Sequence, residues 1–103
     1  MDRLTYDEFA EIRDAEDLRL IDVREQFEFD EVHVKGAELF PLSRIRNGEV
    51  PDHDGRRVAL ICRSGGRSAM AAQVFEQRGF KNVINVEGGT IAAVRAGEDH
   101  VER

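Results

Sequence analysis

The sequence predicts an α/β fold: a parallel sheet of about five short strands flanked by helices on both faces. Three observations predict it. Short continuous apolar runs, the strongest being VALIC at 58–62, read as strands covered on both sides. Segments with helical spacing alternate with those runs, and glycines stand at the joints between them. At 103 residues, with 41% apolar and 35% charged side chains, the chain reads as one ordinary globular domain, 1–103. It is long enough to bury a core without disulfides or a structural metal.

The elements follow in order. Thr5-Tyr6-Asp7-Glu8 has the form of a capping box, and Phe9, Ala10 and Ile12 continue it as a helix that should fade near Asp14. LRLIDV at 18–23 is a buried strand, and Phe27, Glu28 and Glu31 suggest a short helix within 24–32. AELFPL at 37–42 is a further strand, with Pro41 at its end where the missing N–H does least harm. A helical turn at 42–46 and an exposed loop at 47–57 lead into VALIC. Gly65-Gly66 then opens a helix with an apolar face of Ala69, Met70, Ala72, Val74 and Phe75, which Gly79 closes. NVINV at 82–86 is the last strand, Gly88-Gly89 a turn, and 90–96 a final helix stopped by Gly97.

Charge narrows the function. A net charge of -6 argues against nucleic acid or an anionic membrane as a partner. No apolar run approaches the roughly 18 residues of a membrane span, and the N-terminus is polar from Asp2 onward. No signal peptide is therefore expected, and the expected compartment is the cytoplasm. A single cysteine forms no internal disulfide, and with three scattered histidines it offers no metal-ligand spacing, so no cofactor or metal is expected. The acid is unevenly spread, however. From Gly55 to Phe75 there is no Asp or Glu, while Arg56, Arg57, Arg63 and Arg67 all fall there, around Cys62.

Cys62 ends the strongest strand, where open α/β sheets place their ligand crevice. Two glycines follow it, which lets successive N–H groups turn inward as an anion-binding nest. The next helix adds the positive end of its dipole, and Arg63 and Arg67 add full charges. Each feature favours thiolate over thiol; such surroundings bring a cysteine from a pKa near 8.5 to about 3.5–7.5. A lone cysteine at a strand end is ordinarily a small buried hydrophobe. Glycines, arginines and a helix start converging on one cysteine argue for a nucleophile that also attracts an anionic substrate.

The chain resembles the single-domain rhodanese (thiosulfate sulfurtransferase-like) family over nearly its whole length. The resemblance rests on IDVRE at 21–25, HVKGA at 33–37, FPL at 40–42, CRSGGRS at 62–68 and VEGG at 86–89, in the order and spacing of the family. It implies a rhodanese-like sheet and a two-step reaction. Cys62 would take sulfane sulfur from thiosulfate or another persulfide donor, then yield it to an external nucleophile such as cyanide or a thiol. Arg63, Ser64, Gly65, Gly66, Arg67 and Ser68 would bind the substrate, with Arg63 and Arg67 as anion-binding groups. No second cysteine is present to resolve a persulfide internally, so the acceptor must come from outside. A second reading is a persulfide carrier or interaction module for a partner sulfur-relay protein. Cys-dependent phosphatases use Cys-x5-Arg; here Ser68 holds that position and Arg67 comes one residue early, which ranks phosphatase or arsenate reductase activity last.

Asp22 and Arg24 form an Asp-x-Arg arrangement typical of the family and are expected to support the site as an ion pair or loop anchor. His33 matches the family's usual histidine and is expected to be structural, while His53 and His100 look incidental. Two departures stand out. The GHIPGA segment of the family reads Val32-His33-Val34-Lys35-Gly36-Ala37 here, and the tryptophan that commonly follows VEGG is replaced, with Ala93 near its place.

Overall fold

The apolar run at Val58–Ile61 is buried at every position and forms the middle of a five-stranded, wholly parallel sheet. The computed structural model describes residues 1–103. In chain order the elements are β1 (Asp2–Thr5), α1 (Tyr6–Ile12), β2 (Arg19–Asp22), α2 (Gln26–Glu31), β3 (His33–Val34), β4 (Glu38–Leu39), α3 (Leu42–Ile45), β5 (Val58–Ile61), α4 (Gly66–Gln77), β6 (Ile84–Glu87) and α5 (Gly89–Ala96). A 3-10 turn at Glu98–His100 and β7 (Val101–Glu102) complete the chain. The sheet order is β1-β6-β5-β2-β4, and β3 and β7 pair separately as an antiparallel ribbon.

Strand alternation sorts the core into two halves. Val58, Leu60 and Cys62 face one side, where they pack with Leu42 and Ile45 of α3 and Ala71, Ala72 and Phe75 of α4. Ala59 and Ile61 face the other, with Tyr6 and Phe9 of α1 and Ala93 of α5. Helices therefore cover both faces, as expected. The chain leaves β5 through α4 to β6 on one side, while β2 and β4 lie on the other. β5 thus sits where the strand order reverses, and its carboxyl end opens the crevice in which such sheets hold ligands.

Local chemistry explains most element starts and stops. The Thr5 hydroxyl accepts the Glu8 N–H at 3.2 Å and the Glu8 carboxylate accepts the Thr5 N–H at 2.9 Å, so the expected capping box starts α1. α4 begins at Gly66, as the Gly65-Gly66 pair predicts, and the chain turns away at Gly79. Ala93, near the missing tryptophan, is wholly buried with Tyr6, Phe9 and Val101, so a small side chain lets α5 lie close over α1.

Three features depart from the sequence reading. DRLT at 2–5 is a strand, although only Leu4 of the four is even partly buried; its pairing with β6 rather than any apolar period holds it. β3 and β7 are two residues each and lie far apart in the chain, so no local pattern marks them. His100 is not incidental: its Nδ1 lies 2.9 Å from the Tyr6 hydroxyl, which ties the C-terminal turn to α1.

One ion pair sets how the chain leaves β2. Asp22 is fully buried and Arg24 nearly so, and the Arg24 side chain donates from Nε at 3.0 Å and from its terminal nitrogen at 2.8 Å to the Asp22 carboxylate. That terminal nitrogen also donates to the Val32 carbonyl at 2.7 Å, just past α2. The pair therefore staples the exit of β2 to the far end of α2. Leaving a buried guanidinium without its carboxylate costs about 3–5 kcal/mol. Asp22→Asn is expected to lose stability of that order in urea denaturation, whereas Asp30→Asn, on the exposed face of α2, should change little.

Candidate active site

Residues 62–68 close a loop around the Cys62 sulfur between β5 and α4. Cys62 is 1% exposed. The Gly65 N–H donates to its Sγ at 3.0 Å, and the Ser68 hydroxyl oxygen lies 3.4 Å from it. Gly65 takes φ +121°, a backbone conformation that a side chain would strain, and this turns the chain from the loop into α4. Ser68 is in the first turn of α4 and fully buried.

The loop's carbonyls are held from the opposite side. The Thr90 N–H donates to the Cys62 carbonyl at 2.9 Å and the Thr90 hydroxyl to the same oxygen at 3.0 Å. The Ile91 N–H donates to the Arg63 carbonyl at 3.2 Å, and the Gly88 N–H to the Ser64 carbonyl at 3.3 Å. The otherwise unpartnered N–H groups of the first turn of α5 thus grip the loop's carbonyls, which leaves its own N–H groups free to face the sulfur. Gly89 makes this approach possible. A Cβ there would stand 2.5 Å from the carbonyl oxygens of both Cys62 and Arg63, and its φ is +55°.

The electrostatics favour thiolate. Burial pushes the Cys62 thiol up, but the Ser68 hydroxyl and the backbone N–H groups of Ser68, Gly65 and Ser64 outweigh it, so the pKa lies below the ordinary cysteine value. The leading downward causes are hydrogen bonds, of which the sequence predicted the backbone nest; the arginine charge it also expected is not among them. Arg67 explains the difference. Its guanidinium makes two parallel hydrogen bonds to the Glu28 carboxylate, at 2.7 Å and 2.8 Å, so its charge is matched by an acid from α2. Arg63 is exposed and makes no ion pair.

A cavity of about 280 Å³ opens beside the loop, walled by Arg24, Arg63 and Arg95, by Glu28 and Glu31, and by Val32, Thr90, Ile91 and Val94. Arg63, Arg95 and Glu31 line it without an ion pair, while Arg24 is paired with Asp22 and Glu28 with Arg67. Of the residues singled out from sequence, Cys62, Gly65 and Ser68 meet at the sulfur. Arg63, Ser64 and Gly66 lie on the exposed rim, and Arg67 braces α2. Asp22 and Arg24 form a buried ion pair, with Arg24 also in the cavity wall. His33 is structural in geometry: its ring stacks on Phe29 at 3.8 Å and its Nδ1 meets the Phe29 carbonyl at 2.8 Å. No cluster of metal-ligating side chains is present.

Sequence reasoning passed over Asn85, Thr90 and Glu28. Asn85 carried a signal: an amide inside an apolar strand must find partners. Its Nδ2 donates to the Gly65 carbonyl at 3.2 Å, and its Oδ1 accepts a short hydrogen bond from Ser68. Thr90 and Glu28 bore no local mark.

Two substitutions test this architecture. Gly89→Ala is expected to destabilise by about 2 kcal/mol or more and to raise the Cys62 pKa, because the clash displaces the loop carbonyls. Melting curves and the pH profile of thiol alkylation read the two effects. Glu28 titrates at about 2, held below the ordinary carboxyl value of 4.5 chiefly by the hydrogen bonds from Arg67. Its contribution to stability is therefore complete above pH 4.5 and lost as pH falls toward 2. Glu28→Gln should be less stable than the unsubstituted chain by about 1–2 kcal/mol at neutral pH. Urea melts across that pH series should show the gap closing as acid is added.

Comparison with known proteins agrees with this geometry. Residues 5–94 match the rhodanese-like domain. A sulfurtransferase of Allochromatium vinosum is 38% identical over 88 residues, covering 84% of this chain and 80% of that protein. A putative sulfur carrier protein, YrkF, of Bacillus subtilis is 41% identical over 76 residues, covering 72% of this chain and 40% of its own length. The chain spans only 49% and 20% of two other curated relatives that it matches. Among solved structures, a rhodanese-like domain protein from Staphylococcus aureus superposes with a TM-score of 0.82 at 26% identity, covering 99% of this chain and 97% of that one. With the matched domain running from the cap of α1 into α5, and the fold superposing on that of a solved rhodanese-like domain, the chain belongs to the rhodanese-like family.

Proposed function

We propose that this chain is a sulfurtransferase that carries sulfane sulfur as a Cys62 persulfide. The observation that carries the reading is the ring of donors around one buried sulfur: the Gly65 N–H at 3.0 Å, the Ser68 hydroxyl at 3.4 Å, and the N-terminal end of α4 behind them. A nest of N–H groups stabilises a compact anion and has no group placed for proton transfer to a leaving alcohol or amine.

The reaction has two halves. The Cys62 thiolate attacks the outer sulfur of a donor such as thiosulfate. An S–S bond forms, the donor's own S–S bond breaks, and sulfite leaves with the electron pair. The negative charge now rests on the terminal sulfur. An external thiolate or cyanide then attacks that sulfur, its bond to Sγ breaks, and the pair returns to Cys62. Arg63 at the rim and Arg95 across the cavity draw an anionic donor or acceptor toward the loop. Arg67 acts at one remove, by holding α2 against α4 through Glu28.

A second reading has its own support. Phe27, next to Glu28, is 72% exposed, and Met70, one turn along α4 from Arg67, is 47% exposed. Apolar side chains on either side of that bridge suit a protein surface better than a small ion. On this reading the domain receives and hands on persulfide within a sulfur relay and turns over small donors poorly. The relative named as a putative sulfur carrier is consistent with it.

Intact-protein mass spectrometry after incubation with thiosulfate is expected to show one added sulfur on Cys62, absent from Cys62→Ser. A thiosulfate:cyanide assay alongside it separates the readings. Turnover with the adduct supports the enzyme, and the adduct without turnover supports the carrier. A Cys62→Ser protein with full turnover would sink both.

A further inference from the structure

The Ser68 hydroxyl has more acceptors than it has protons. Its oxygen lies within hydrogen-bond reach of the Asn85 Oδ1, of the Gly65 carbonyl at 3.2 Å and of the Cys62 Sγ at 3.4 Å, yet it carries one hydrogen. All the groups concerned are buried, so no bulk water makes up the shortfall.

Asn85 decides the competition. Its amide cannot be turned over, because its Nδ2 faces the Gly65 carbonyl at 3.2 Å, and the reverse orientation would set two oxygens against each other. The Oδ1 is therefore fixed toward Ser68 as an acceptor. The Gly65 carbonyl needs no help from Ser68, since it also receives the Ala69 N–H at 3.2 Å. That leaves two contenders for the Ser68 proton: the Asn85 Oδ1 and the sulfur.

We propose that Asn85 is a positioning residue that holds the Ser68 proton while the sulfur is uncharged and releases it to Cys62 when the sulfur carries negative charge. A neutral sulfur is a weak acceptor and loses to an amide oxygen; a thiolate is an ionic acceptor and wins. On the reaction proposed above, the cycle needs both states. In the free protein Sγ bears the charge and accepts the Ser68 hydrogen bond. In the persulfide the charge has moved to the terminal sulfur, Sγ is a poor acceptor, and the proton returns to Asn85. Ser68 is satisfied throughout, and no buried hydroxyl is orphaned at either stage. The swing breaks one hydrogen bond and makes another, with no proton transferred between heavy atoms. The lowered Cys62 pKa, with the Ser68 hydroxyl as its leading downward cause, agrees with the thiolate arm of this scheme.

The inference extends the persulfide reading but is measured without sulfur transfer. The rate of Cys62 alkylation by iodoacetamide, followed against pH, reports the thiolate fraction. Ser68→Ala removes the donor and is expected to raise the Cys62 pKa by about one pH unit, the size of one charge-assisted hydrogen bond. Asn85→Val, a β-branched residue suited to β6, removes the competing acceptor and is expected to lower it by about half a unit or more. The double variant should match Ser68→Ala alone, because Asn85 acts only through that hydroxyl. A merely structural Asn85 would loosen the ring, so that Asn85→Val raised the pKa or added its effect to that of Ser68→Ala; either result overturns the proposal. Asn85→Ala serves as the second variant, and thermal melts confirm that each protein is folded. The expected alkylation shifts without any sulfur adduct would uphold the proton switch and refute the persulfide reading.

Discussion

Everything at the site depends on the grip of the first turn of α5 on the loop after β5. A backbone segment that points several N–H groups at one sulfur must send its carbonyls elsewhere, and buried carbonyls need donors. α5 supplies them from Thr90, Ile91 and Gly88, and the Thr90 hydroxyl adds another. Two sets of unsatisfied backbone groups, the free N–H groups of one helix start and the turned-out carbonyls of another, thus cancel each other. The condition is closeness, and only a residue without a Cβ at position 89 allows it.

The site therefore assembles from the sheet outward. β5 and β6 are neighbours, so the loop after one and the helix start after the other meet at the same edge. β2 brings Asp22 to the same end, and the Asp22–Arg24 pair sets the path into α2. α2 then offers Glu28 to Arg67. The chain of support runs through charge as well as through packing, which explains how an acidic protein keeps a cation-rich stretch in place without surrendering all of it to solvent.

Much of this was legible in the sequence because it is written locally. Apolar runs, the Thr5 capping box, the glycines at 65, 79 and 88–89, and the cysteine at the end of VALIC each declare themselves within a few residues. What escaped is written at a distance. β1 is polar and held by its neighbour, β3 and β7 are joined from opposite ends of the sequence, and the Glu28–Arg67 pair links residues 39 positions apart. Arg67 looked like a free cation because nothing nearby in sequence opposed it. Asn85 was the partial exception: an isolated amide in a buried strand announces that it has partners without saying which.

Because the ring around Cys62 is held mostly by main-chain atoms, the ring and its exposed rim occupy different parts of the same seven residues. Only Ser68 contributes a side chain to the sulfur, while the Arg63 and Ser64 side chains stand on the exposed rim and hold none of the ring's hydrogen bonds. Substitution at those two positions would redraw what the mouth of the site attracts and leave the reactive centre intact. The fold thus carries a built-in modularity: side chains at the rim can change while the main-chain ring about the sulfur keeps its hydrogen bonds.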